Sequence, residues 1–164
     1  MRLPRDVEAD PQCESIRSAL GARTQKLWPG GTTLVPILAL TAGLTAALRA
    51  ALASGQLRRG LEGAVAALAA ERQGLEAVAR RTGVEPGGRV SRLCLVSHDG
   101  AERFRRQVER TVATHAPRLL VCILDVDATM LGTTLYGRDA SVKLVLADHK
   151  DAVSAILMSL AREA

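Results

Sequence analysis

Large apolar residues recur every three or four positions between residues 33 and 82, which is the spacing of one face of an α-helix. The first stripe consists of Leu34, Ile37, Leu40, Leu44, Leu48 and Leu52. After a break at Ser54 and Gly55, the second stripe consists of Leu57, Leu61, Ala64, Val65, Leu68, Leu75 and Val78. Within the second stripe, Leu61, Leu68 and Leu75 are seven residues apart, but two or three heptads are too few to define a coiled coil. The pattern predicts two helices or a helical hairpin, each helix with one apolar face.

The pattern changes after residue 90. Residues 92–97 form an apolar run of strand length, and residues 119–124 form a continuous apolar run typical of a strand that is covered on both faces. Between the two runs, Asp99 and Glu102 have the spacing of a capping box, which predicts a helix that begins at Gly100. The three elements together predict a right-handed strand, helix, strand crossover.

This helix is predicted to be amphipathic. Its apolar face carries Ala101, Phe104, Val108 and Val112, and its polar face carries Arg103, Arg105, Arg106, Glu109 and Arg110. Residues 129–136 and 141–147 are predicted to form a β-hairpin, and residues 151–162 a closing helix. The expected fold class is α/β, or α+β, with an N-terminal helical segment followed by a small βαβ-ββ-α module that has a three- to four-stranded sheet.

Composition shifts along the chain predict four regions. Residues 1–32 are a polar, partly flexible lead-in, and residues 33–82 are the helical segment. The sequence Glu85-Pro86-Gly87-Gly88 is the clearest turn signal in the chain and marks residues 83–90 as a linker. Residues 91–164 are the α/β module.

Residues 27–48 contain no charged residue and are long enough to cross a bilayer as a helix. Lys26 and Trp28 at the start and Arg49 at the end fit a marginal single-span anchor. The many Ala, Thr and Gly residues and the apolar stripe favour packing in a soluble core. Both interpretations stay open, and a cytoplasmic protein, membrane-associated in the second case, is expected.

The net charge of +5 and the pI near 9.7 raise the question of nucleic-acid binding. The charge comes almost entirely from arginines that are dispersed along the chain, and Trp28, Phe104 and Tyr136 are the only aromatic residues. The basic residues therefore lack interspersed aromatic side chains on which nucleobases could stack, and nucleic acid is disfavoured as a partner. The residues that would bind it are Arg103, Arg105, Arg106, Arg110 and Arg118.

Cys13, Cys94 and Cys122 lack the spacing of metal ligands, and an odd number of cysteines favours free thiols in a reducing compartment. Cys94 and Cys122 fall in the two apolar runs, where small buried residues are expected. In an exported protein these two cysteines could form a disulfide bond. The three histidines show no zinc-ligand spacing either.

Polar residues follow both predicted strands of the crossover. Ser97, His98 and Asp99 follow the first, and Asp125 and Asp127 follow the second. Ligands of open α/β sheets bind beyond the carboxyl ends of the strands. If the two strands are neighbours, these side chains converge on one edge of the sheet.

The sequence Asp125-Val126-Asp127-Ala128-Thr129-Met130-Leu131 resembles the first motif of the haloacid dehalogenase-like phosphatases. The resemblance implies that Asp125 is a phosphorylated nucleophile, that Asp127 is a general acid and base, and that Mg²⁺ is bound between carboxylates. Ala128 departs from the family, which has glycine there. The 33 residues that follow Leu131 are too few for the remaining motifs of the family.

Two functional hypotheses follow. The first is a non-enzymatic interaction or assembly protein whose helical segment binds a partner protein, a second copy or a membrane. Its interface residues would be Leu40, Leu44, Leu48, Leu52, Leu61, Leu68 and Leu75. The alternative is a small Mg²⁺-dependent phosphatase-like or anion-binding enzyme that uses Asp125, Asp127 and His98. The first hypothesis requires no cofactor, and Mg²⁺ is expected only for the alternative.

Overall fold

The computed structural model of the chain describes residues 1–162, so the last two residues of the predicted 91–164 module lie outside the described residues. Within the described part, the strands are β1 (Thr24–Lys26), β2 (Leu34–Leu38), β3 (Leu57–Arg59), β4 (Arg92–Ser97), β5 (Leu119–Leu124) and β6 (Leu144–Ala147). The helices are α1 (Arg5–Ala9), α2 (Cys13–Ala22), α3 (Ala42–Ala53), α4 (Leu61–Thr82), α5 (Glu102–His115), α6 (Ala128–Tyr136) and α7 (Lys150–Ala161).

The six strands form one mixed sheet in the order β1-β2-β5-β4-β6-β3. The central strands β2, β5 and β4 are parallel, and β1, β6 and β3 run antiparallel to their neighbours. Strands β4 and β5 pair along their whole length, and α5 connects them as the predicted crossover. The carboxyl ends of the three parallel strands therefore lie at one edge of the sheet.

The prediction of a three- to four-stranded sheet after a helical hairpin was only partly right. Residues 33–82 contribute two strands as well as two helices: β2 pairs with β5, and β3 pairs with β6. Both strands are short, and their apolar residues happen to continue the helical spacing of α3 and α4. The pattern therefore concealed the point at which each strand gives way to a helix.

The predicted hairpin over residues 129–147 was wrong in its first half, because residues 128–136 form α6. Asp127 caps this helix: its Oδ1 accepts a hydrogen bond from the Met130 amide at 2.7 Å. Gly132 permits close packing, since a Cβ there would lie 2.4 Å from the Ala140 carbonyl oxygen. Strand β6 falls inside the predicted second strand but pairs with β4 and β3.

The two faces of the sheet carry separate cores. Helices α1, α2, α3, α6 and α7 cover one face, and α4 and α5 cover the other. Cys94 is aligned with Val121, whereas Cys122 is aligned with Leu95, so the two cysteines lie on opposite faces and cannot bridge. Their thiols are free and fully buried, and burial raises the pKa of Cys94 to about 12.

Much of the two apolar stripes of residues 33–82 packs inside this chain, although Leu34, Val65 and Val78 are exposed. Leu44 and Leu48 are completely buried in the first core, where α3 contacts α7, and Leu68 is buried in the second core beneath α4. The other predicted interface residues, Leu40, Leu52, Leu61 and Leu75, are half-buried. These residues thus cover the same sheet to which β4, β5 and β6 belong.

The single-span membrane interpretation is not supported. Residues 27–48 are divided between a loop, β2, a second loop and the start of α3. No helix within residues 1–162 is long and apolar enough to cross a membrane.

Substituting Leu48→Ala should lower the free energy of unfolding by about 2–5 kcal/mol, because it leaves a cavity in the first core. Val65→Ala, at a side chain on α4 that is 41% exposed, should change it by only about 0.5 kcal/mol. Urea denaturation measures both values. A loss for Leu48→Ala that depended on protein concentration would contradict intrachain packing and indicate an intermolecular contact.

Candidate functional site

The carboxyl ends of β4 and β5 form a topological switch point. The chain leaves β4 through α5 on one face of the sheet and leaves β5 through α6 on the other face. Crevices at such points are the usual ligand sites of open α/β sheets. The loops after the two strands lie side by side, and the His98 amide donates a hydrogen bond to the Val126 carbonyl at 2.9 Å.

The structure brings the predicted carboxylates to this edge, but each is engaged with a protein group. Asp127 caps α6, and Asp99 Oδ1 accepts a hydrogen bond from the Ala128 amide at 3.1 Å. Asp125 forms an exposed ion pair with Arg23, with 3.2 Å between Oδ2 and Nη1. Among the described residues, no group of three or more His, Cys, Asp or Glu side chains could hold a metal ion.

The pKa of Asp99 reflects this engagement. Burial alone would raise its pKa, but polar neighbours, including the Ala128 amide, outweigh burial and hold the pKa below its ordinary value. Asp99 is therefore ionised at neutral pH and contributes a fixed negative charge to the edge of the sheet.

The most unusual group at this edge is Arg105, which is only 4% exposed. Its Nη2 donates a hydrogen bond to the Ser97 carbonyl at 2.8 Å, so the side chain folds back toward the beginning of its own helix. Its Nη1 is buried and has no hydrogen-bond partner among the described residues. Burial lowers the pKa of Arg105 and the Asp99 carboxylate opposes that effect, but a guanidinium remains protonated at ordinary pH.

The sequence prediction placed Arg105 on the polar face of α5, and this was wrong. Arg105 follows Ala101 by four positions and precedes Val108 by three, so it lies on the face that packs on the sheet. Gly100 leaves room for it, since a Cβ at Gly100 would lie 3.2 Å from Arg105 Nε and 2.6 Å from Phe104 Cδ1.

An open cleft of about 400 Å³ lies beside Arg105, and we call it the Arg105 cleft. Its lining consists of Gln25, Lys26, Leu27, Trp28, Pro29, His98, Gly100, Glu102 and Arg105. Lys26 and His98 are exposed there. The carboxylate of Glu102 is paired with Arg106 one turn along the helix. Among the lining side chains, Lys26 and Arg105 are therefore the charges without an ion-pair partner within the described residues, and the nearby Asp99 carboxylate acts on Arg105 only through space.

Glu109 fixes the wall of the cleft that is formed by the loop at residues 27–33. Its carboxylate accepts hydrogen bonds from Trp28 Nε1 at 2.7 Å, from the Thr33 amide at 2.8 Å and from the Thr32 amide at 3.0 Å. The Arg106 guanidinium lies 4.3 Å from the centre of the Trp28 ring. The hydrogen bond from the Thr33 amide is the main cause of the lowered pKa of Glu109.

Comparison with known proteins adds the fold alone. No protein-family model matches the sequence, and no curated protein matches it. A solved structure, that of a protein with unknown function from Bacillus halodurans C, resembles the chain with a TM-score of 0.50 and 17% sequence identity. The match covers 75% of this chain and 100% of that chain.

The sequence prediction thus located the edge but not the cleft. His98 lines the cleft, whereas Asp125 and Asp127 are absent from its lining. Arg105 could have been recognised from its helical spacing. Lys26, Trp28 and Glu109 could not, because they depend on contacts between the β1–β2 loop and α5 that no local pattern reveals.

Substituting Glu109→Ala should release the loop at residues 27–33 and lower the free energy of unfolding by about 1–2 kcal/mol, since donors to a carboxylate lose their acceptor. Trp28 is the only tryptophan, so its fluorescence reports the change directly. Glu76→Ala, which removes an exposed partner of Arg72 on α4, is the matched control. An unchanged emission spectrum for Glu109→Ala would contradict the conclusion that Glu109 holds this loop in place.

The attachment of the loop at residues 27–33 to the Glu109 carboxylate should also depend on pH. The pKa of Glu109 is lower in the folded protein than its ordinary value of about 4.3. The contribution of the ionised carboxylate to the stability of the folded protein is therefore fully present above that value. The contribution is lost as the pH falls through the lowered pKa. Trp28 emission should therefore stay constant down to about pH 4 and change below it. The Glu109→Gln variant should lack this transition, and a transition of equal size in both proteins would assign it to another group.

Proposed function

We propose that the chain binds a small anionic ligand in the Arg105 cleft. The observation that carries the proposal is the buried guanidinium of Arg105, whose Nη1 donates to no group of the described residues. A buried charge with an unused donor costs free energy unless an acceptor satisfies it. An anion bound at the cleft would supply that acceptor and a compensating charge.

The surroundings of Arg105 support an anion in particular. Lys26 extends the positive surface at the cleft, His98 adds an exposed imidazole, and Arg106 engages the carboxylate of Glu102. The volume of about 400 Å³ suits a small molecule. Through His98 and Gly100 the cleft adjoins the carboxyl end of β4, and ligands of this class of sheet bind beyond the carboxyl ends of the strands.

Binding should be accompanied by a local rearrangement. Nη1 has almost no solvent-accessible surface, so an anion reaches it only when exposed side chains of the cleft wall shift. Trp28 lies in that wall and would sense the shift. A change in its fluorescence is therefore an expected sign of binding at this site.

The two functions expected from the sequence alone have less support. Most of the leucines that suggested association through residues 33–82 pack inside this chain. For phosphatase-like chemistry with Mg²⁺, Asp127 is engaged as a helix cap and Asp125 as the partner of Arg23. Neither arrangement leaves a pair of free carboxylates for a metal ion.

The Arg105→Met variant tests the proposal. Phosphate and acetate, each titrated at constant ionic strength with chloride as the balancing anion, should show saturable binding of at least one anion to the unsubstituted protein. In Arg105→Met the affinity for that anion should fall by about 10- to 100-fold, because a charge-assisted hydrogen bond is lost. Calorimetry and Trp28 fluorescence measure the affinity.

Arg103→Met is the control, since it removes an exposed arginine from the same helix and should leave the affinity unchanged. Circular dichroism of Arg105→Met should retain the native spectrum. Equal affinities for Arg105→Met and Arg103→Met, or no saturable binding of any anion, would refute the proposal.

A further inference from the structure

We infer that the anionic group bound in the Arg105 cleft is a phosphate, held between the Arg105 guanidinium and the first turn of α5. The inference rests on the proposed function, because it specifies the ligand of the same cleft. It is carried by the coincidence of two kinds of donor at one point. The first is the unused Nη1 of Arg105, and the second is the uncapped N-terminus of a 14-residue helix.

The first amides of an α-helix have no acceptor within the helix, and side chains usually supply one. In this chain Thr41 caps α3, Asp127 caps α6 and His149 caps α7, whereas α1, α2, α4 and α5 have no side-chain cap. The N-cap of α5 is Ala101, and no side-chain cap is present there. The acid of its first turn, Glu102, is held by Arg106.

Arg105 brings its guanidinium to this same end of the helix. Its Nη2 binds the carbonyl of Ser97, the last residue of β4, and its Nε lies close beneath Gly100. Gly100, Glu102 and Arg105 all line the cleft. A ligand in the cleft therefore faces a buried cation together with the positive end of the dipole of α5.

This set of donors fits a phosphate better than a carboxylate. A phosphate monoester carries about −1.5 to −2 charges at neutral pH and presents three acceptor oxygens in different directions. These oxygens can accept from the guanidinium, from helix amides and from the exposed Lys26 and His98 at once. A carboxylate is planar, carries one charge and has two oxygens, so it would leave several of these donors unused.

The decisive variant is Ala101→Asp, which places a carboxylate at the N-cap. The backbone of Ala101 already has the extended conformation of a cap residue, with φ −65° and ψ 158°. A capping aspartate should raise the melting temperature by about 2–4 °C. It should also lower phosphate affinity by at least about tenfold, because it occupies the same amides and repels the anion.

The opposite signs of these two effects separate ligand binding from damage to the fold. Ala113→Asp is the matched control: it adds the same charge at an exposed position in the last turn of α5, and it should leave phosphate affinity unchanged. Ala101→Asn, a neutral cap of nearly the same shape, should give an intermediate loss. The probes are inorganic phosphate, O-phosphoserine and acetate at equal ionic strength.

Tight phosphate and phosphoserine binding, weak acetate binding and selective loss in Ala101→Asp would support the inference. Acetate binding as tightly as phosphate, or full phosphate affinity in Ala101→Asp, would overturn it. The anion site would still stand in that case if Arg105→Met abolished binding. Failure of every anion to bind the unsubstituted protein would instead overturn the proposed function together with the inference.

Discussion

Six consecutive register pairs, from Arg92 with Leu119 to Ser97 with Leu124, hold β4 and β5 in parallel at the centre of the sheet. The side chains of both strands are almost entirely buried, since one core lies on each face. This pairing ends both strands at the same level. The chain must leave them through α5 and α6 on opposite faces, and the switch point beside the candidate site is the direct result.

The runs at residues 92–97 and 119–124 were predictable because a short, continuous apolar segment bounded by polar residues fits a strand covered on both faces. Strands β2 and β3 were not, because five and three residues carry too little periodicity to stand out beside two long helices. The conformation of α6 was hidden by its three threonines and one tyrosine, which favour strands. Capping by Asp127 and burial of Leu131 and Leu135 outweigh that preference.

At the candidate site, too, some residues could be predicted from the sequence and others could not. His98 could be predicted because it directly follows an apolar strand. Asp125 and Asp127 were predicted in the same way and lie at the same edge of the sheet, but outside the cleft. Arg105 was missed because arginine is rarely buried and was assigned to the solvent face. Glu109 holds the β1–β2 loop through contacts such as the hydrogen bond from Trp28, which lies 81 positions earlier in the chain. Such a contact depends on the tertiary arrangement, which brings the β1–β2 loop beside the middle of α5, and not on any local sequence signal.

A comparison of two arginines shows why Arg105 points to a ligand. Arg118 is half-buried, and its charge is compensated within the chain: Nη2 lies 2.9 Å from the Glu71 carboxylate, and Nη1 donates to the Gly87 carbonyl at 3.2 Å. That arginine joins α4 to the loop before β4. Its buried Nε has no hydrogen-bond partner among the described residues, but its charge, unlike that of Arg105, is paired with a carboxylate.

Arg105 is more deeply buried, yet within residues 1–162 it forms no ion pair and uses Nη2 on a neutral carbonyl. The nearby Asp99 stabilises its charge only through space while its Oδ1 accepts from the Ala128 amide. A fold optimised for stability alone would gain by replacing such a group with an apolar side chain. A fold that binds an anion has a physical reason to keep it.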